Sequence, residues 1–121
     1  MGIYKDAVGE AYRNFELAKR YRGAGNAEAA MLLYNKAVEL AIKALYVKGT
    51  GRNPPKGASA TYMARRTEMP IEVSEYISVM EERAADEASE MEPDLQKGDE
   101  KLFYLDGLAK RLLDSTAALT T

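Results

Sequence analysis

Three observations predict an all-α protein, an antiparallel helical bundle of four long helices and one short one. Apolar residues recur at steps of three and four along most of the chain, no stretch alternates apolar and polar residues as a half-buried strand does, and glycine and proline gather in a few short breaks. With 121 residues there is room for one core of a few packed elements, so residues 1–121 are read as a single domain.

The first helix spans residues 3–22, where Tyr4, Val8, Ala11, Phe15, Ala18 and Tyr21 fall on one face. Gly23-Ala24-Gly25 breaks it, and Asn26 is an N-cap for the next helix, its side-chain oxygen meeting a backbone N–H that has no helical partner. That second helix runs to about Lys48. Its seam is Ala30, Tyr34, Ala37, Ala41, Ala44 and Leu45, and Met31, Leu33, Val38, Ile42, Tyr46 and Val47 widen the apolar surface well beyond a stripe. A helix this apolar is buried on several sides, either at the centre of the bundle or between the core and a second subunit.

Residues 49–57 read Gly-Thr-Gly-Arg-Asn-Pro-Pro-Lys-Gly and form the principal loop, since proline has no amide hydrogen and glycine favours turns. A short helix follows from about Ser59 to Arg66. Pro70 suits the first turn of a longer helix that carries Val73, Tyr76, Ile77, Met80, Ala84, Ala88 and Met91 and stops before Pro93. The last helix, with Asp99 as its N-cap, carries Leu102, Leu105, Ala109, Leu112, Thr116 and Leu119.

The absence of Cys and His excludes disulfides, zinc fingers, thiol nucleophiles and imidazole bases, and with them most hydrolase triads and histidine-dependent nucleases. No run approaches the roughly 18 apolar residues of a membrane span, the first residues lack the apolar core of a signal peptide, and Asp6 stands where a myristoylation motif wants Ser or Thr. A cytoplasmic location without membrane attachment is the expectation. The formal net charge of −2 conceals two unlike halves: residues 1–66 hold 12 basic against 5 acidic side chains, and residues 67–121 hold 5 against 14. Either the basic half presents a surface to phosphate-bearing partners, or the two halves neutralise each other by packing together or by pairing in a dimer.

Candidate binding residues follow from that basic half. Arg52 and Lys56 lie between the glycines of the principal loop, where flexible backbone amides and two cations suit a phosphate, although the spacing of a P-loop is missing and a plain interhelical connection is the better reading of the residues alone. Arg65 and Arg66 extend this patch or simply complement the C-terminal dipole of the short helix. Lys36 and Lys43, about two helical turns apart on the polar stripe of the second helix, stand behind them, with Glu39 between. The acidic crowd Glu81, Glu82, Asp86, Glu87, Glu90 and Glu92 reads as a solvated face rather than a Mg²⁺ site, so no metal, cofactor or catalytic residue is assigned. Most of the eight tyrosines sit on apolar faces, where core packing is the first reading, and exposed ones such as Tyr62 are candidates to stack on a base.

The segment from Asn26 to Gly49, an alanine-rich helix ending in Lys43-Ala44-Leu45 ahead of a Gly and Pro loop, resembles the second helix of HEPN domains. The helices on either side are also similar to that family's layout, and PaREP-type archaeal proteins look similar too. The resemblance implies a small helical bundle, commonly a homodimer, that acts as a ribonuclease or accompanies a nucleotidyltransferase in a two-component, toxin–antitoxin-like module. Ribonuclease members carry an Arg followed four to six residues later by His, and a chain without His cannot hold that motif. The resemblance therefore implies a non-catalytic accessory module that binds a nucleotide, RNA or a nucleotidyltransferase. A purely structural, self-associating bundle is the alternative, and a His-free, metal-dependent ribonuclease stands third.

Overall fold

The structure, a computed structural model, describes residues 2–79 and 95–118. Every element among them is a helix: α1 (Gly2–Gly23), α2 (Ala27–Thr50), α3 (Ala60–Arg66), α4 (residues 71–79) and α5 (Leu95–Ala118). The all-α bundle expected from the periodicity is therefore the observed fold. Met80, Ala84, Ala88, Met91, the stop before Pro93, the acidic residues Glu81 to Glu92 and Leu119 lie outside the described residues.

α1 and α2 form an antiparallel hairpin, with Ala7 and Val8 from the start of α1 against Ala44 near the end of α2, and Phe15 against Tyr34 midway. α5 runs antiparallel to α1, as its side-chain links show: Asp106 meets Arg22, and Asp114 meets Tyr12. α2 packs against α1, α3 and α5, as a central helix does. Ala30, Ala37, Ala41 and Ala44 are fully buried, and their small side chains let neighbouring backbones approach. The core is completed by Met63 of α3, by Val73 and Tyr76 of α4, and by Leu102, Leu105, Leu108, Ala109, Leu112 and Leu113 of α5.

The cap expected at Asn26 is formed, and the structure adds one at Ser59. Asn26 Oδ1 accepts the Ala29 N–H at 3.2 Å, and Ser59 Oγ accepts the Tyr62 N–H at 3.1 Å. Two helix starts and one core position differ from the sequence reading. Pro70 stands one residue ahead of α4, where its carbonyl accepts the Val73 N–H at 3.0 Å. α5 is already helical at Leu95, so Asp99 lies inside it and does not cap it. Tyr21, expected on the core stripe of α1, is 39% exposed because it falls in the last turn, beside the Ala24–Asn26 connection.

α2 also continues past Lys48 to Thr50, because Gly51, not Gly49, terminates it. Gly51 adopts the left-handed conformation at φ 72° and donates its N–H to the Val47 carbonyl at 2.8 Å. Gly49 serves a different purpose within the helix. A Cβ placed there would come within 2.9 Å of Thr67 Cβ, and closer still to its hydroxyl, so glycine lets the α3–α4 connection cross the last turn of α2. Gly49→Ala should lower stability by about 1–3 kcal/mol through overpacking, even though alanine is worth up to about 1 kcal/mol more than glycine within a helix. A thermal melt checks this, and pairing it with Thr67→Ala should recover part of the loss. An undiminished Tm in Gly49→Ala would show that the crossing yields without cost.

Candidate functional site

The exposed side of α2 and the loop that follows it enclose an open cleft of about 360 Å³. Lys36, Glu39, Leu40 and Lys43 of α2 form one wall, Asn53, Pro54, Pro55, Lys56, Gly57 and Ala58 form the other, and Met63 of α3 closes the floor. Lys36 and Lys43 share this wall because seven residues bring a helix almost back to the same azimuth, about 10 Å further along its axis. Lys56 faces them from a β-turn in which the Ala58 N–H donates to the Pro55 carbonyl at 3.0 Å. Gly57, at φ 81°, occupies the turn position that requires a left-handed residue, leaving Lys56 at the tip. The two prolines stiffen the approach to that turn.

Three of the six cations expected to meet a ligand are thus brought together, namely Lys36, Lys43 and Lys56. Arg52, Arg65 and Arg66 are exposed but do not line the cleft. The α2 extension places Arg52 just past the Gly51 cap, with its backbone N–H on the Thr50 hydroxyl at 3.2 Å. Arg66 lies over the Tyr62 ring at 3.8 Å. That contact favours core packing over base stacking for Tyr62, because the ring packs against the core and one face is occupied by the guanidinium. Chemically the cleft offers three flexible ammonium groups, one carboxylate, an amide and an apolar floor, a set that can attract an anion and give apolar surface to a ring.

A second constellation was not legible in the sequence. Tyr34, fully buried at the centre of α2, donates its hydroxyl to Asp106 of α5, and Asp106 also pairs with Arg22 of α1 at 3.5 Å. Burial first, and the Asp106 bond second, push the Tyr34 hydroxyl up to about 12, partly offset by Arg22. The proton is therefore held firmly at neutral pH, and the group acts as a tie between three helices rather than as an acid or base. The Arg22–Asp106 pair also shows one place where the basic and acidic halves of the chain neutralise each other internally. Two further polar links join α4 and α5, with Arg111 and the Tyr104 hydroxyl both donating to Glu75 at 3.2 Å. Among the described residues no group of three or more acidic side chains is placed to hold a metal ion, and no helix is long and apolar enough to cross a membrane.

Against known proteins, the family model described as HEPN domain matches residues 4–114. No curated protein and no solved structure matches the chain.

Proposed function

Since the chain belongs to the HEPN-domain family over residues 4–114, we propose that it is a non-catalytic accessory module whose cleft between α2 and the following loop binds the phosphate of a nucleotide or RNA. The observation that carries this reading is the convergence of Lys36, Lys43 and Lys56 on one cleft from two separate elements. The lack of histidine supports the non-catalytic part, since the family's ribonuclease motif needs one. Arg52, Arg65 and Arg66 lie outside the cleft wall and add long-range attraction to the same anion.

In this role the chain is one half of a two-component module, with a nucleotidyltransferase as its partner, and it works as a homodimer. Self-association has its own support in Leu32, Ile71 and Phe103, which are 65%, 69% and 72% exposed, far more than large apolar side chains in a core. Sedimentation at low and high salt separates self-association driven by these apolar groups from pairing of the charged halves, because only the latter weakens with salt.

The test of phosphate binding is fluorescence anisotropy with a single-stranded RNA that carries a 5′-phosphate and a 3′-fluorescein. Affinity should fall as salt rises, with a log–log slope of about −2 if three phosphate contacts each contribute about −0.7. Lys36→Gln/Lys43→Gln/Lys56→Gln should weaken binding by about tenfold or more and flatten that slope. Equal binding by the wild type and the triple variant would refute the cleft as the site.

A further inference from the structure

Resting on the reading that the lysine cleft binds phosphate, we propose that it selects a terminal phosphate monoester on a single nucleotide-sized unit over the internal phosphodiesters of a strand. Charge is the first reason. Lys36, Lys43 and Lys56 against Glu39 leave the wall with two net positive charges. A monoester carries about −1.5 to −2 near neutral pH, whereas each phosphodiester carries only one negative charge. The monoester matches the cleft, and a strand passing through would bring additional phosphates towards the Glu39 carboxylate.

Geometry is the second reason. A strand is followed by cations set in a row, but here two lysines stand on α2 and the third faces them from the tip of the Pro55–Ala58 turn. Cations that two separate elements bring to one cleft can close on a single group. The cations that would extend a track, Arg52, Arg65 and Arg66, are not in the wall. Size is the third. About 360 Å³ lies at the small end of the range for ligand sites, roughly 300–1,000 Å³, and suits one ring with one phosphate. Leu40, Pro54, Pro55 and Met63 supply the apolar surface for that ring, and Asn53 an amide for its polar edge.

The test compares two 3′-fluorescein RNAs of one sequence, with a 5′-phosphate or a 5′-hydroxyl, and uses adenosine 5′-monophosphate and the diester-only dinucleotide ApA as competitors. The phosphorylated RNA should bind about tenfold or more tightly, the worth of one further charge-assisted hydrogen bond. The monophosphate should displace it and ApA should not. Lys56→Gln should abolish the preference, and Lys110→Gln, on the exposed face of α5 and outside the cleft, should leave it unchanged, with circular dichroism confirming that each variant is folded. If both RNAs bind alike and the triple lysine variant weakens both equally, the cleft binds phosphate without end selectivity and the proposal falls alone. If neither RNA nor the monophosphate binds, or if binding ignores the triple variant, the proposal falls together with the reading on which it rests.

Discussion

Phe15→Ala should cost about 3–5 kcal/mol, a large part of the roughly 5–15 kcal/mol that holds a domain folded. Phe15 is only 4% exposed, and its ring meets Tyr34 edge to face at 5.8 Å between centroids, at the middle of the α1–α2 hairpin. Truncation removes the ring from the most extensive helix contact in the bundle and leaves a void against a tyrosine that cannot shift without breaking its bond to Asp106. Lys19 also loses a partner, since its ammonium lies 5.5 Å from the Phe15 centroid. Urea unfolding measures the effect, with the midpoint falling while the slope is kept. Glu16→Ala, at an exposed site on the same helix, is the control and should stay within about 0.5 kcal/mol of the wild type. A Phe15→Ala loss below about 1 kcal/mol would contradict the placement of this ring in the core.

The second large effect depends on pH. Tyr34 titrates at about 12 in the fold, against 10.0 for an unperturbed tyrosine. Below pH 10 both the folded and the unfolded chain hold the proton, and the stabilisation from this buried tie is fully present. Between about 10 and 12 the unfolded chain releases its proton first, the folded chain binds more protons, and stability falls as pH rises. The loss specific to Tyr34 is on the order of 2–3 kcal/mol by the time pH has passed through the folded value. Tyr34→Phe should be less stable than the wild type at pH 8 and should close that gap between pH 10 and 12, because it has no phenol to ionise. Tyr12, also raised by burial and then by Asp114, adds a parallel but separate decline that Tyr12→Phe isolates. A gap that stays constant across this range would show that the Tyr34 proton is not what the Asp106 tie depends on.

Much of the fold was legible because helices announce themselves locally. Ala11, Phe15 and Ala18 on α1, and Leu105, Ala109 and Leu112 on α5, fall on the buried faces that steps of three and four assign to them. Asn26 and Ser59 cap their helices for equally local reasons, since a short polar side chain before an apolar run can reach back only to the first free amides. Boundaries were harder. Gly49 and Gly51 look alike in sequence, and only the crossing of Thr67 explains why one lies inside the helix and the other ends it.

The candidate site divides along the same line. Lys36 and Lys43 were legible as a pair, since both lie on one helix and its pitch relates them. That Lys56 faces them, while Arg52, only four residues earlier, does not line the cleft, depends on the path of the loop and on a turn set by Gly57. The partnership of Tyr34 with Asp106 spans 72 residues and has no local signal at all.

By itself, then, the sequence determined the helices, their buried faces and the absence of histidine chemistry. These properties follow from neighbours within a turn or two, or from composition. Only the tertiary structure decided which cations share a cleft, which tyrosine is tied to which carboxylate, and where glycine is needed for close approach. Those properties arise when segments far apart in the chain are brought together, and hydrophobic packing, which is indifferent to direction, does not encode the outcome in any single stretch.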